Sequence, residues 1–402
     1  SQPGQDFEET EYDEELRLVQ NGDFVTEHYG APSAKKRARS QSSSDLLRSR
    51  LSEAMTALQT IVEIADLGFT RTDDIALVKT VYRSCIRGNC FYISGGFSYY
   101  VNNEDVITRI KIQYNSGFTD EEGEPSAEKI SKALRKYNER AEEGLEYAGQ
   151  GRNALEQALL AHDWIIRECE YDYENYLAQS VPSDSYSAYG CLVNGRAVCN
   201  GYALAFSFFL EEMGIESYVV ASDSMNHAWN LVNIDQEWFH IDVTWDDPVF
   251  SKEQTGLGLY NEDFSDEGFV NHIYFLKSDT EIEELKHYGW DLQNSEYDLP
   301  ASTASGQYQD AVFFDMRMTA FNYMEGRFYY SKDGALTVSD DLWGTNRRLL
   351  QISAEEAYYP HVFENKLYYT DSQDIYRYTS DYGDEMILQG NGLVVSELAV
   401  RS

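Results

Sequence analysis

Three residues in the middle of the chain have the types and order that acyl transfer needs: Cys199, His227 and Asp242. A nucleophilic thiol requires thiolate character, a base within hydrogen-bond reach and a third group that orients the base. Downstream of Cys199, the residues Tyr202, Ala203, Phe206, Phe209, Leu210 and Met213 recur at helical spacing and Gly214 closes the run. Cys199 is therefore expected in the first turn of a helix. Unpaired N–H groups and the helix dipole there favour a thiolate, and two such N–H groups can stabilise an oxyanion. Three strands are expected next, over 216–221, 228–233 and 237–244, with His227 opening the second and Asp242 on the third. A two-residue hairpin loop at Asp235-Gln236 pairs Ile234 with Glu237 and, stepping outward, Trp229 with Asp242. His227 is then a diagonal neighbour of Asp242 on the same sheet face, at a Cα spacing of ~7–8 Å that two side chains span. A one-residue bulge breaks this register. The same register favours Asp242 over Asp246 and Asp247 as the partner of His227.

Around these three stand weaker candidates. Trp229 and Trp245 either line a peptide-binding cleft or pack in the core. Asn226 and Tyr189 are candidates for helping to hold an oxyanion. His162 lies in the apolar stripe of Leu155, Ala158, Leu159, Ile165, Ile166 and Cys169, and such a histidine reads as a core residue rather than a catalytic one. There is no zinc-ligand spacing, EF-hand loop or phosphate-binding glycine loop, so no metal and no cofactor are expected. Acidic runs read as solvated faces rather than calcium sites.

The elements that must position these residues divide the chain into four parts. Residues 1–44 are acidic at first, then carry the basic run Lys35-Lys36-Arg37-Ala38-Arg39 and a serine-rich stretch. That composition describes an acidic, low-complexity N-terminal arm, a linker or disordered segment. Residues 45–150 are expected as an α/β extension, with helices near 45–58, 73–82 and 125–141 and strands at 91–101 and 106–114. Residues 151–300 hold the chemistry. Beyond 300, Gly326-Arg327-Phe328-Tyr329-Tyr330 returns as Asn365-Lys366-Leu367-Tyr368-Tyr369. A period of about 40 residues with short strands suggests propeller-like blades. The 301–402 β-repeat module is expected to be removable without loss of reactivity at Cys199.

Composition limits the partners. Lys plus Arg is 32 and Asp plus Glu is 69, for a formal net charge of −37. A nucleic-acid or anionic-membrane partner is disfavoured, because both need clustered basic residues. No apolar run is long enough to insert into a membrane. Five cysteines is an odd count, unlike a disulfide scaffold. Cys85 and Cys90 either close a small loop in an oxidising compartment or are ordinary thiols. The first residue is Ser1, not Met, which fits either a processed or a trimmed chain, and a signal peptide cannot be read from it.

The segment 186–248 resembles the transglutaminase-like superfamily, a branch of the papain-like cysteine enzymes, and looks most like its secreted bacterial members. The Cys motif stands here as GRAVCNGYALAF, the His motif as NHAWNLV and the Asp motif as WFHIDVTWDDP. The likeness extends to His162-Asp163-Trp164-Ile165 and Tyr171-Asp172-Tyr173 upstream, and to His272-Ile273-Tyr274-Phe275-Leu276 and His287-Tyr288-Gly289-Trp290 downstream. It is good over about 150–295, weaker over 45–150, and absent over 1–44 and 301–402. Asn200 departs from it, where many relatives carry Glu or Gln. The resemblance implies a papain-like α+β core with Cys199 as nucleophile, His227 as base and Asp242 as orienter. It also implies a family divided between cross-linking and hydrolysis.

The expected function is cysteine-dependent acyl transfer on peptide or glutamine amides of a protein substrate, at a bacterial cell surface or cell wall or outside the cell. The alternative is a non-enzymatic adhesion or scaffolding protein, in which a silent papain-like domain and the β-repeats bind a partner.

Overall fold

The structure is a computed structural model. It describes residues 43–86, 90–222, 224–247, 270–290, 299–303, 306, 308–315 and 321–390, with the backbone of 10–14 and 27–29. The basic run 35–39 lies outside the described residues.

In chain order the first half contains β1 (Thr10–Glu14), β2 (Glu27–Tyr29), α1 (Ser43–Thr56), β3 (Ile61–Glu63), α2 (Arg71–Cys85), β4 (Ile93–Val101), β5 (Ile107–Tyr114), α3 (Ala127–Ala148) and α4 (Ala154–Glu168). Side-chain caps start α2, α3 and α4: Thr70 accepts from the Asp73 N–H, Ser126 from Lys129 and Asn153 from Glu156, each satisfying a donor the first turn leaves unpaired. The N-terminal arm departs from expectation. β1 pairs antiparallel with β4, and β2 with the strand Ser217–Ser222 of the central sheet. Both fill sheet edges, whose unpaired N–H and C=O groups accept any extended segment, so low hydrophobicity does not keep the backbone out of a sheet.

The central part contains β6 (Glu170–Tyr171), α5 (Tyr173–Leu177), a single π turn (Gly190–Asn194), β7 (Arg196–Ala197), α6 (Cys199–Glu212), β8 (Ser217–Ser222), β9 (His227–Ile234), β10 (Glu237–Ile241), α7 (Val243–Asp246) and α8 (Asp279–Glu284). The sheet order β10-β9-β8-β2 places β9 between its sequence neighbours. Glu237 pairs with Ile234 and Ile241 with Asn230, with φ of 51° at Asp235 and 72° at Gln236. Two successive positive φ values make a tight turn whose twist matches the strands, and this sets the expected register. The strand stops at Ile241, earlier than the expected Thr244, because Asp242 caps α7 instead of continuing the sheet.

α6 and α4 are buried nearly all round. Two glycines allow their approach to neighbours. A Cβ on Gly144 of α3 would meet the Phe209 ring of α6. A Cβ on Gly201, in the first turn of α6, would lie 2.8 Å from both the Ala197 Cβ and the Ser185 carbonyl. Gly201 thereby lets the loop before Cys199 close against the helix that carries it.

The C-terminal part contains β11 (Asn322–Met324), β12 (Arg327–Lys332), β13 (Ala335–Ser339), β14 (Arg348–Leu349), β15 (Tyr358–Phe363), β16 (Lys366–Thr370), β17 (Ile375–Thr379) and β18 (Gly383–Leu388). They form two open four-stranded antiparallel sheets, in orders β11-β12-β13-β14 and β15-β16-β17-β18. The propeller-like arrangement expected from the spacing is not what these strands build. The sheets pack on each other through Met324, Tyr329, Leu336, Val338, Leu367 and Tyr369, a closed interface that needs no ring of blades.

The first of these sheets is also continuous with the main core. Tyr308, Phe313, Phe321, Phe328, Tyr330 and Leu342 share one buried cluster with Phe275 and with α4 and α6. The Arg167 guanidinium, buried on α4, donates to Asn322 Oδ1 at 2.8 Å, and the Phe321 N–H donates to Asp163 Oδ2 at 2.8 Å.

Candidate functional site

Cys199 is the first residue of α6 and 4% exposed, packed with Ala203, Val219, Ala221 and Ala228 and against Tyr186. The cap residue Val198 brings no side-chain acceptor to the first-turn N–H groups, so these donors border the thiol. His227 is the first residue of β9. It is delivered there by Asn226, whose φ of 50° lies in the left-handed region that asparagine tolerates better than most residues.

The His227 Nε2–H donates to Asp242 Oδ2 at 2.6 Å, buried on both sides. With Nε2 so engaged, Nδ1 is the ring nitrogen left to serve the Cys199 thiol, which packs on Ala228, the residue after His227. Asp242 is held at both oxygens. Oδ1 accepts from the Thr244 and Trp245 N–H groups at 3.0 and 3.1 Å, and Oδ2 accepts from His227 and also from the His287 Nε2–H at 2.7 Å.

Burial opposes charge at both members of the His–Asp pair, and their mutual attraction overrides it. For His227, burial lowers the pKa, but the charge and hydrogen bond of Asp242, with a contribution from Cys199, push it up to about 10. For Asp242, burial raises the value, but His227 and His287 hold the carboxyl well below the usual range. His227 is therefore an imidazolium at neutral pH, able to stabilise an anion on the adjacent sulfur and to protonate a leaving amine.

The three neighbouring aspartates have three different partners. Asp246 Oδ2 faces His162 Nε2 at 3.1 Å, while its Oδ1 accepts from the Tyr274 N–H at 3.0 Å. Asp247 Oδ2 accepts from the Tyr202 hydroxyl at 2.5 Å. Only Asp242 meets His227.

His162 is fully buried, as expected of a core histidine, but it belongs to a polar cluster rather than an apolar one. Its Nδ1 meets Asp163 Oδ1 at 2.8 Å, and His272 Nε2 reaches the same oxygen at 2.8 Å. Burial lowers the His162 pKa, but Asp163 and Asp246 push it up to about 9. Two groups, His162–Asp163–His272 and His227–Asp242–His287, have side-chain donor atoms within 4.8 Å of one another. In each, a central carboxylate oxygen already accepts from both histidines, so the groups read as hydrogen-bonded clusters.

These pairs make a pH prediction. A raised histidine pKa contributes stability that is complete below the unfolded value of ~6.5 and is lost as pH rises through the folded one. The melting temperature should fall from neutrality through about 9, where His162 titrates, and again near 10, where His227 does. His162→Gln should remove the first step. Melts followed by circular dichroism across this range check it, and a wild-type melting temperature flat through both steps would refute it. Asp163 and Asp242 act oppositely: their contribution is present above ~3.9 and lost as pH falls.

The remaining candidates separate. Trp229 is 1% exposed, its Nε1–H donating to His240 Nδ1 at 3.0 Å. It is a core residue and lines no open cleft, because β9 is the inner strand of the hairpin pair. Trp245 is 38% exposed and lies 5.2 Å from the His227 ring and 4.4 Å from His287, centroid to centroid. Tyr189 packs on Phe91 at 4.4 Å and Phe118 at 6.3 Å, in the contact with the N-terminal extension and not among the residues around Cys199. Asn226 is exposed and acts through its backbone turn. Cys85 and Cys90 are not joined by a disulfide.

Sequence reasoning missed Tyr171, Tyr186 and the role of His287. Tyr186 packs against the cluster that holds Cys199, and burial first, then Cys199, pushes both phenols up. The Asn200 side chain donates to the Tyr186 carbonyl at 2.7 Å, tying the loop that carries this tyrosine to α6. No local signal distinguishes these tyrosines from the chain's 31.

Residues 144–243 match the family model of the Transglutaminase-like superfamily, an interval that includes Cys199, His227 and Asp242. The chain is 26% identical over 142 residues to the Kyphoscoliosis peptidase of Mus musculus, covering 32% of this chain and 20% of that protein. A solved structure described as "Crystal structure of a TGase" aligns with 16% identity and a TM-score of 0.27, over 45% of this chain and 52% of that one. The chain thus spans a fifth of the curated relative and about half of the solved one. It carries a transglutaminase-like domain within a larger mixed helix-and-sheet architecture.

Proposed function

We propose that the protein is a cysteine-dependent acyl transferase or hydrolase acting on peptide or glutamine amides. The observation that carries this reading is the 2.6 Å bond between His227 and a doubly anchored Asp242, with Cys199 at the start of α6 packed on Ala228, the residue after His227.

In the proposed reaction the Cys199 sulfur attacks the amide carbonyl carbon. The C–N bond breaks, His227 gives its proton to the departing amine, and a thioester to Cys199 remains. His227 then takes a proton from water or from an acceptor amine as that molecule attacks the thioester and frees the thiol. The helix-start N–H groups are placed to stabilise the oxyanion, and the exposed face of Trp245 offers an apolar wall for a peptide. The substrate is a protein or peptide met at a bacterial cell surface or outside the cell, without nucleic acid or membrane insertion. The charge of −37 supports the exclusion of polyanionic partners.

Mass spectrometry of products from a cell-wall or protein extract, with and without added primary amine, tests the reading. Hydrolysed or deamidated amides, or amine adducts, should form with wild type and not with Cys199→Ala. Identical product sets from the two proteins would refute the proposal and favour a binding role.

A further inference from the structure

His287 has no part in the chemistry just described, yet it occupies the centre of the site. It is fully buried, with its ring 4.4 Å from Trp245, 4.8 Å from Trp229 and 5.3 Å from Tyr274, centroid to centroid. Its Nε2–H donates to Asp242 Oδ2, the oxygen that also serves His227. Its Nδ1 has no hydrogen-bond partner. A buried nitrogen without a partner costs stability, so a plain apolar side chain would serve the core better at this position.

The surrounding chain places the ring with care. Lys277 and His240 exchange both backbone bonds, at 2.7 and 2.9 Å, tying the start of this segment to β10. Ser278 and Glu281 form a reciprocal cap at the start of α8. Lys286 has a φ of 74°, and the His287 N–H then returns to the Ile282 carbonyl at 3.0 Å.

We propose that His287 is a positioning residue: by donating to the oxygen that His227 also uses, it locks the Asp242 carboxylate in one orientation and so aims the His227 ring at Cys199. Without it, Oδ1 stays anchored to the two N–H groups of α7, but Oδ2, fully buried, keeps one mobile partner. The His227 ring then has a hinged acceptor, and the thiol a less well-placed imidazole. The role rests on the reading of Cys199, His227 and Asp242 as the reactive set.

The test is the rate of iodoacetamide alkylation at Cys199 at neutral pH, read by peptide mass spectrometry, in wild type, His287→Gln, His287→Met, Asp242→Asn and the Asp242→Asn/His287→Met double variant. Met fills the volume without a donor, whereas Gln can place an N–H near the Nε2 position. His287→Met should slow labelling about tenfold, the scale of one hydrogen bond to a charged group. His287→Gln should stay within a few-fold of wild type. In the Asp242→Asn background His287→Met should cost little more, because its effect passes through Asp242.

Additive losses in the double variant, equal losses with Gln and Met, or no loss with Met would each overturn the role. Should the Met variant not fold, nitrogen-edited spectra of the wild type and of Asp242→Asn decide. The His227 and His287 Nε2–H protons should both be protected and both shift when Asp242→Asn alters their shared acceptor, and a shift of one alone overturns the role. A wild-type Cys199 no more reactive than free cysteine would sink the proposed function itself, a result separable from the behaviour of the His287 variants.

Discussion

Asp242→Asn should reduce turnover by ~10⁴-fold while leaving the protein folded, an effect of the size seen when the orienting carboxylate of such a set becomes an amide. The amide keeps an oxygen to accept from the α7 N–H groups, so the cap survives. It cannot carry the charge that holds His227 as an imidazolium. Asp246→Asn and Asp247→Asn should behave differently although they lie within five residues. Asp246 serves His162 and the Tyr274 N–H, away from His227. Its loss should lower stability by about 3 kcal/mol, the scale of breaking a buried ion pair, with the rate of the folded fraction largely kept. Asp247→Asn still offers an acceptor to Tyr202 and should be mild in both respects. Steady-state rates and melting temperatures of the three variants check this. An inactive Asp246→Asn beside an active Asp242→Asn would overturn the assignment of the triad.

Removing residues 301–402 should abolish soluble, folded protein, contrary to the separability expected from the change of sequence pattern at 300. The cut strips Phe313, Phe321, Phe328 and Tyr330 from the main core. At ~2 kcal/mol for each buried ring, the loss is on the order of 8 kcal/mol, comparable with the ~5–15 kcal/mol stability of a whole domain. It also leaves Arg167 and Asp163 buried without Asn322 and the Phe321 N–H. A chain ending at Ser353 should fare better. It loses β15 to β18 and exposes the face between the two sheets, but among the described residues the buried part of the main core extends no further than Leu342. Expression of the two truncations, followed by Cys199 alkylation of whatever is soluble, measures the difference. A folded, reactive 1–300 chain would show that the first C-terminal sheet is dispensable.

The sequence by itself determined the local geometry of the site. Helical periodicity placed Cys199 at the start of α6, and the Asp235-Gln236 turn set the register that brings His227 beside Asp242. Both are short-range properties, encoded by side-chain period and by residues that accept positive φ. What only the tertiary structure decided are meetings between segments far apart in the chain. His287 reaches Asp242 across 45 residues, and His272 reaches Asp163 across 109. Periodicity names the buried face of each segment but not the partner that covers it. For the same reason the sequence left Trp229 and Trp245 equivalent, although one is core and the other exposed. It also read the two C-terminal sheets as blades of a ring. Strand pattern reports alternation along a sheet, while closure depends on which faces are apolar on both sides. Here one face of the first sheet is spent on the main core and the other on the second sheet.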